Sequence, residues 1–131
     1  MLSLALPSRV FLCTLPTDMR KSFDTLAALV QRELGQDPLS GDLFVFRSKR
    51  GDRLKLLWWD EDGYCLWYKR LEAGSFVLPG ADGRRTPVGE HGLVLRATEL
   101  ALLLDGIDLG NVKRQKRYQR PAPTAAGTSS P

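Results

Sequence analysis

The stretch Phe44–Asp60, FVFRSKRGDRLKLLWWD, decides how this chain is expected to fold. Two apolar runs flank a turn that carries Lys49, Arg50 and Arg53, which predicts an antiparallel hairpin. Because successive side chains of a strand point to opposite faces, Leu54, Leu56 and Trp58 can enter a core. The opposite face would carry Arg53, Lys55, Leu57 and Trp59.

That second face of the hairpin has two interpretations. Cations interleaved with aromatic rings suit a nucleic acid, because phosphates attract charge and bases stack on flat rings. The alternative is a solvated strand face whose long side-chain stems cover apolar surface. The hairpin alone does not decide between them.

Length and composition indicate one soluble domain. The chain has 131 residues, 43% hydrophobic and 26% charged, which suffices for a single core. Cys13 and Cys65 lack metal-binding or redox spacing and are expected to be reduced thiols. We recognise no secretory leader and no run near the ~20 apolar residues that span a bilayer. We therefore expect a cytoplasmic protein with no membrane partner.

The positive charge is concentrated near the end of the chain. The net charge is +4, and residues 113–120, KRQKRYQR, hold five of the 19 basic residues. The residues after this run, PAPTAAGTSSP, have little to bury and are predicted to be disordered. We therefore predict one globular α+β domain over residues 1–110 and a basic, disordered tail over 111–131.

Periodicity predicts the order of elements. Apolar residues at helical spacing favour a helix over residues 18–34, after a short strand at 9–14. Strand-like runs follow at 43–48, 53–59, 64–71 and 76–78, and a short helix at 98–105. The predicted fold class is α+β: one long helix packed on an antiparallel three- to four-stranded meander, with a short N-terminal strand and a short C-terminal helix. Aromatic side chains on the meander's second face would form a second core or an exposed contact site.

The predicted helix start, Asp18–Lys21 (DMRK), places two cations in a first turn. Cations are unfavourable beside the positive end of a helix dipole, and a bound phosphate would make them favourable there. The alternative is that Arg20 and Lys21 form ordinary surface ion pairs with Asp24.

No residues suggest a catalytic centre. The carboxylates of Asp60, Glu61 and Asp62 are adjacent in one turn, where side chains usually point into water. His91 is the only histidine and lacks a partner at ligand spacing. Phosphate-cradling glycine motifs are absent from the sequence. We therefore expect no enzyme activity, no metal and no cofactor.

Three segments together resemble a known family: residues 17–30 (TDMRKSFDTLAALV), 40–72 (SGDLFVFRSKRGDRLKLLWWDEDGYCLWYKRLE) and 99–109 (ELALLLDGIDL). It is the TnpB accessory protein encoded by the second reading frame of IS-sixty-six type insertion sequences, and not the RNA-guided nuclease that shares that name. The resemblance implies a bacterial protein needed for full transposition beside a larger transposase, which carries the catalytic residues.

Combined with the charge pattern, the resemblance leads to two functional predictions. The first is a non-catalytic accessory protein that binds DNA. The second is an interaction module that docks on the element's larger catalytic transposase and assembles the complex without touching DNA. The oligomeric state stays open. The predicted nucleic-acid contacts are Arg20, Lys21, Arg47, Lys49, Arg50, Arg53, Lys55, Trp59, Lys113, Arg114, Lys116 and Arg117.

Overall fold

The fold is built on a six-stranded mixed sheet with a helix on each side. The computed structural model describes residues 9–78, 85–108, 113–114 and 120–121, and only the backbone at 107–108 and 113–114. The elements in chain order are β1 Val10–Cys13, α1 Phe23–Leu34, β2 Leu43–Arg47, β3 Arg53–Asp60, β4 Gly63–Arg70, β5 Pro87–Val88, β6 Gly92–Leu95, α2 Ala97–Asp105, β7 Ile107–Asp108 and β8 Lys113–Arg114. In the described part of the chain, neither helix has the length and apolarity that a membrane span requires.

The short strand β1 lies in the interior of the sheet, whose order is β4-β3-β2-β1-β6-β5. It pairs in parallel with β2 and antiparallel with β6. A parallel pair requires a crossover connection, which α1 supplies. All four residues of β1 are buried, as expected for an apolar strand covered on both faces.

Each face of the sheet has its own core. On one face, Phe11, Phe44 and Leu57 pack with the buried side of α1. On the other face, Leu54 and Leu56 pack with Phe76 and Leu103, and Trp58 and Trp67 join them half-buried. The aromatic side chains of the second face therefore form the second core, one of the two alternatives that the sequence allowed.

The predicted fold class, one long helix on a three- to four-stranded antiparallel meander, is wrong. The meander β2-β3-β4 is present, but three further strands extend it into a mixed sheet. Sequence periodicity identified β1 and could not place it, because parallel pairing joins residues that are about thirty positions apart. Residues 76–78, predicted as a strand, are irregular.

The first helix also begins later than predicted. The Asp18 side chain accepts a hydrogen bond from the Arg20 amide (2.9 Å), and the Asp18 carbonyl accepts one from the Lys21 amide (3.0 Å). These bonds close a separate turn, and Ser22 then caps α1, with its amide donating to the Thr25 hydroxyl (2.9 Å). Residues 18–21 are therefore a loop and not the first turn of a helix.

Candidate nucleic-acid interface

The structure brings together two turns that are about thirty residues apart in sequence. We call residues 17–20 the first turn and residues 48–53 the second turn. The Thr17 amide donates to the Arg47 carbonyl (2.9 Å), which places the first turn beside the end of β2. The second turn joins β2 to β3. Between them lies a pocket of about 380 Å³, which we call the basic pocket. Its lining residues are Thr17, Asp18, Met19, Arg20, Ser48, Lys49, Arg50, Asp52 and Arg53.

Lys55 holds the first turn against the sheet. Its side chain is buried, and its ammonium donates to the carbonyls of Met19 (2.8 Å) and Lys21 (2.6 Å). The same ammonium lies 4.6 Å from the ring centroid of Tyr68. Burial lowers the pKa of Lys55, and the charge of Asp18 partly opposes this effect. Lys55 therefore supports the wall of the basic pocket from behind and does not line it.

The second turn is closed by its own hydrogen bonds. The Ser48 amide donates to the Arg53 carbonyl (3.0 Å), and the Ser48 hydroxyl accepts from the Arg53 amide (3.1 Å) and donates to Asp52 (3.3 Å). Gly51 has a φ of 80°, a left-handed conformation that favours glycine. Lys49 and Arg50 are thus exposed on a turn whose backbone is well constrained.

The chain after β4 fastens the same turn from the other side. The amides of Leu71 and Phe76 donate to the carbonyls of Asp52 (2.8 Å) and Gly51 (2.7 Å). The Arg47 side chain passes beneath Gly51, and its Nε donates to the Phe76 carbonyl (2.7 Å). Burial lowers the pKa of Arg47. Arg47 therefore contributes to the internal structure of the turn and is not among the pocket-lining side chains.

The cations of the basic pocket differ in how they are paired. Arg20 forms an ion pair with Asp18 (2.7 Å), and hydrogen bonds from Arg20 lower the pKa of Asp18 to about 2. Arg53 lies 3.4 Å from the Tyr68 hydroxyl. No carboxylate of the described residues lies within ion-pair distance of Lys49, Arg50 or Arg53. Three cations of the pocket are thus available to an anionic partner.

The remaining predicted contacts lie elsewhere. Lys21 is half-buried and follows the first turn without lining the pocket. Trp59 is near the far end of β3, six residues or about 20 Å from Arg53, where it packs edge-on against Tyr64. In the predicted tail, the backbone of Lys113 and Arg114 pairs with Ile107–Asp108 as β8, while Lys116 and Arg117 lie outside the described residues.

A separate cluster has the composition of a metal site. One ligand atom from each of Glu33, Glu90 and His91 lies within 4.8 Å of the others. His91 Nδ1 is 2.7 Å from a Glu33 oxygen, and Arg32 also pairs with Glu33 (3.1 Å). Hydrogen bonding from His91, and then from Arg32, lowers the pKa of Glu33. These pairs account for Glu33 and His91 as a polar contact between the end of α1 and the β5–β6 turn.

Sequence reasoning missed the polar residues that shape the basic pocket. Asp18 and Asp52 reduce its positive charge, while Ser48 closes its second turn. A local signal did exist, because Asp18-x-Arg20 and Ser48-x-x-x-Asp52 are spacings at which short polar side chains bond within a turn.

Comparison with known proteins identifies the family. Residues 8–114 match the model described as IS66 Orf2 like protein. The chain is similar to two uncharacterized proteins of Sinorhizobium fredii. Protein y4jC is 41% identical over 117 residues (89% of this chain, 93% of that protein), and protein y4hO is 44% identical over 100 residues (76% and 81%). No solved structure matches the chain. Because the family match spans the sheet and both turns of the basic pocket, the chain belongs to the IS66 Orf2-like family, the accessory proteins of IS66-type insertion sequences.

Proposed function

We propose that this chain acts in transposition as a non-catalytic accessory protein that binds DNA through the basic pocket. The observation that carries the proposal is the juxtaposition of two turns, residues 17–20 and 48–53, around one cationic depression. Family membership supports the process, and the pocket supports the choice of ligand.

Charge and rigidity both favour a phosphate backbone as the ligand. Lys49, Arg50 and Arg53 can contact phosphates without first breaking an ion pair within the described structure. The turn that carries them is constrained by hydrogen bonds on two sides, so binding would order few additional groups. Contacts of this kind depend on salt, because each neutralised phosphate releases counterions.

The carboxylates of the pocket support binding rather than catalysis. Metal-dependent cleavage of DNA uses carboxylates that converge on metal ions. Here Asp18 is engaged by Arg20, and Asp52 accepts a hydrogen bond from Ser48. Both carboxylates therefore serve the structure of their own turns.

Duplex binding measured by fluorescence anisotropy across a salt series tests the proposal on the full chain. We expect Arg50→Ala/Arg53→Ala to weaken binding and to reduce the slope of log K against log salt by about 1.8, at about 0.9 per phosphate. The matched control is Arg32→Ala/Arg96→Ala, which removes the same charge from exposed side chains outside the pocket. Equal slopes for the two double variants would refute the pocket as the DNA contact.

Docking on the larger transposase is the second candidate function, and the mixed charge of the pocket favours it. Asp18 and Asp52 lie among the cations, and such a pattern suits a protein surface that carries both signs. We expect this interaction to survive high salt better than a phosphate contact. Co-purification of the transposase through a high-salt wash, lost in Arg50→Ala/Arg53→Ala, with no DNA binding by the chain alone, would favour docking over DNA binding.

A further inference from the structure

The strand β4 forms a long, regular edge of the sheet. Its eight residues pair with β3 along one side, and no described strand lies on the other side. The opposite edge, β5, has only two residues and begins with Pro87. Natural edges are usually short or interrupted by proline or a bulge, because unpaired amides and carbonyls invite another strand. β4 contains no proline, and its register with β3 is continuous.

The hydrogen-bonding groups of that edge can be assigned to individual residues. Asp60 and Gly63 face each other across a two-residue turn, and the Leu71 amide donates to Asp52 on the β3 side. Antiparallel strands alternate the direction of their backbone groups. The odd-numbered residues of β4 therefore bond to β3, and the even-numbered residues, with Leu66 near the middle, present their amides and carbonyls outward.

The two ends of this edge carry opposite charges. The turn before β4 holds the exposed carboxylates of Asp60, Glu61 and Asp62. The other end of the strand carries the exposed cations Lys69 and Arg70. Arg70 pairs with Glu72 (3.1 Å), but both side chains are more than half exposed, so this pair is weak and readily exchanged.

We propose that a second copy of this chain pairs antiparallel with β4 across this edge, about a two-fold axis near Leu66. Antiparallel self-pairing brings the acidic turn of each subunit beside the basic end of the other. An axis at Leu66 places Tyr64 opposite Tyr68 of the partner subunit, and Asp62 level with Arg70 of the partner subunit. Parallel pairing would instead place like charges together. The charge pattern therefore selects one orientation.

The partly exposed apolar side chains of β4 also favour a second copy of the chain as the pairing strand. Tyr68 is 48% exposed, and Tyr64 and Leu66 are half-buried on the same face. Cross-strand pairs of aromatic and apolar side chains stabilise antiparallel sheets. The dimer would cover these side chains and join two six-stranded sheets into one continuous sheet.

The dimer would also fix the distance between the two basic pockets. The meaning of that distance rests on the proposed function, DNA binding through the pocket. A two-fold axis perpendicular to the sheet keeps both basic pockets on one side. Arg53 lies opposite Arg70, four residues from the axis, so the two Arg53 positions are about 27 Å apart along the strands and about 14 Å across them. The resulting separation of about 30 Å is close to one turn of duplex DNA, about 34 Å.

Sedimentation equilibrium of the full chain without DNA tests the dimer. We expect the wild type to dimerise, and the variants Lys69→Glu/Arg70→Glu and Glu61→Lys/Asp62→Lys to be monomeric because like charges then meet at both ends. An equimolar mixture of the two variants should regain the dimer, since opposite charges meet at both ends of the mixed pair. Arg32→Glu/Arg96→Glu, which reverses two cations away from β4, should behave as the wild type does.

A monomeric wild type, dimerisation of either variant alone, or a mixture that stays monomeric would overturn the proposal. If the variants fail to fold, amide hydrogen exchange on the wild type decides. If the chain dimerises, protection of the Leu66 amide against exchange should fall on dilution. If the chain is monomeric, this protection should not depend on concentration. Because DNA is absent, a negative result would leave the proposed DNA contact standing, and failure of DNA binding would leave the dimer standing.

Discussion

Replacing Lys55 with methionine tests how the basic pocket is built. The Lys55 ammonium donates to the carbonyls of Met19 and Lys21 and lies over the ring of Tyr68. Methionine has a similar length and volume but cannot donate a hydrogen bond. The substitution therefore leaves two carbonyls without this partner and removes the internal support of the first turn.

The contacts of Lys55 allow the loss of stability to be bounded. A hydrogen bond from a charged group contributes about 1.5 to 3 kcal/mol, so two bonds give about 3 to 6 kcal/mol. The contact with Tyr68 adds about 1 kcal/mol. Methionine also avoids the desolvation of a buried ammonium, and the carbonyl of half-buried Lys21 can regain water. We therefore expect the free energy of unfolding to fall by about 2 to 4 kcal/mol.

Equilibrium unfolding in urea, followed by tryptophan fluorescence, measures this loss. All variants are compared at one protein concentration, because dimerisation would make stability depend on concentration. Lys49→Met, the same substitution at an exposed lysine, should change the free energy of unfolding by less than about 0.5 kcal/mol. If Lys55→Met changed the free energy of unfolding as little as Lys49→Met, the Lys55 ammonium would not be holding the first turn in place. If Lys55→Met also lowered the salt slope of DNA binding by about 0.9, Lys55 would be a phosphate contact.

Two further predictions concern the second turn and the end of α1. Gly51→Ala should lower the free energy of unfolding by about 1 to 3 kcal/mol, because φ is positive and the new β-carbon meets the Arg47 guanidinium. Urea unfolding measures this loss, and Gly63→Ala, where the added β-carbon enters open space, is the control. Glu33→Gln should flatten the acid side of the stability curve. His91 and Arg32 hold the pKa of Glu33 below 4.5, so its contribution is present above that pH and is lost as pH falls through the folded-state pKa. Urea midpoints measured from neutral to acid pH would contradict this if wild type and variant lost stability in parallel.

The sequence predicted the parts of the candidate site that depend on local pattern. The strands β2, β3 and β4 lie within one residue of their predicted bounds, because alternation and turn residues act over a few positions. The cations of both segments were among the predicted contacts, but residues 18–21 were expected to begin a helix and instead form a separate turn. Their meeting in one pocket was not predicted, because it depends on where the chain after β1 crosses the end of β2.

The roles of individual cations show more clearly what could not be predicted from the sequence. Alternation placed Lys55 and Leu57 on the same face of β3, and both are buried on that face. Their shared face could be read as a cationic strip until the structure showed α1 and the first turn covering it. Arg47 is a similar case, since only the loop that returns at Phe76 turns its guanidinium inward.

Sequence patterns were sufficient to predict the meander, the basic turn between β2 and β3, and the family, because these depend on short-range alternation and on motifs read directly from the chain. Tertiary contacts were needed to establish the interior position of β1, the covering of both sheet faces and the division of the cations between support and pocket. These features depend on strand pairing and burial between residues that are about thirty or more positions apart. Local periodicity contains no information about which of them will meet.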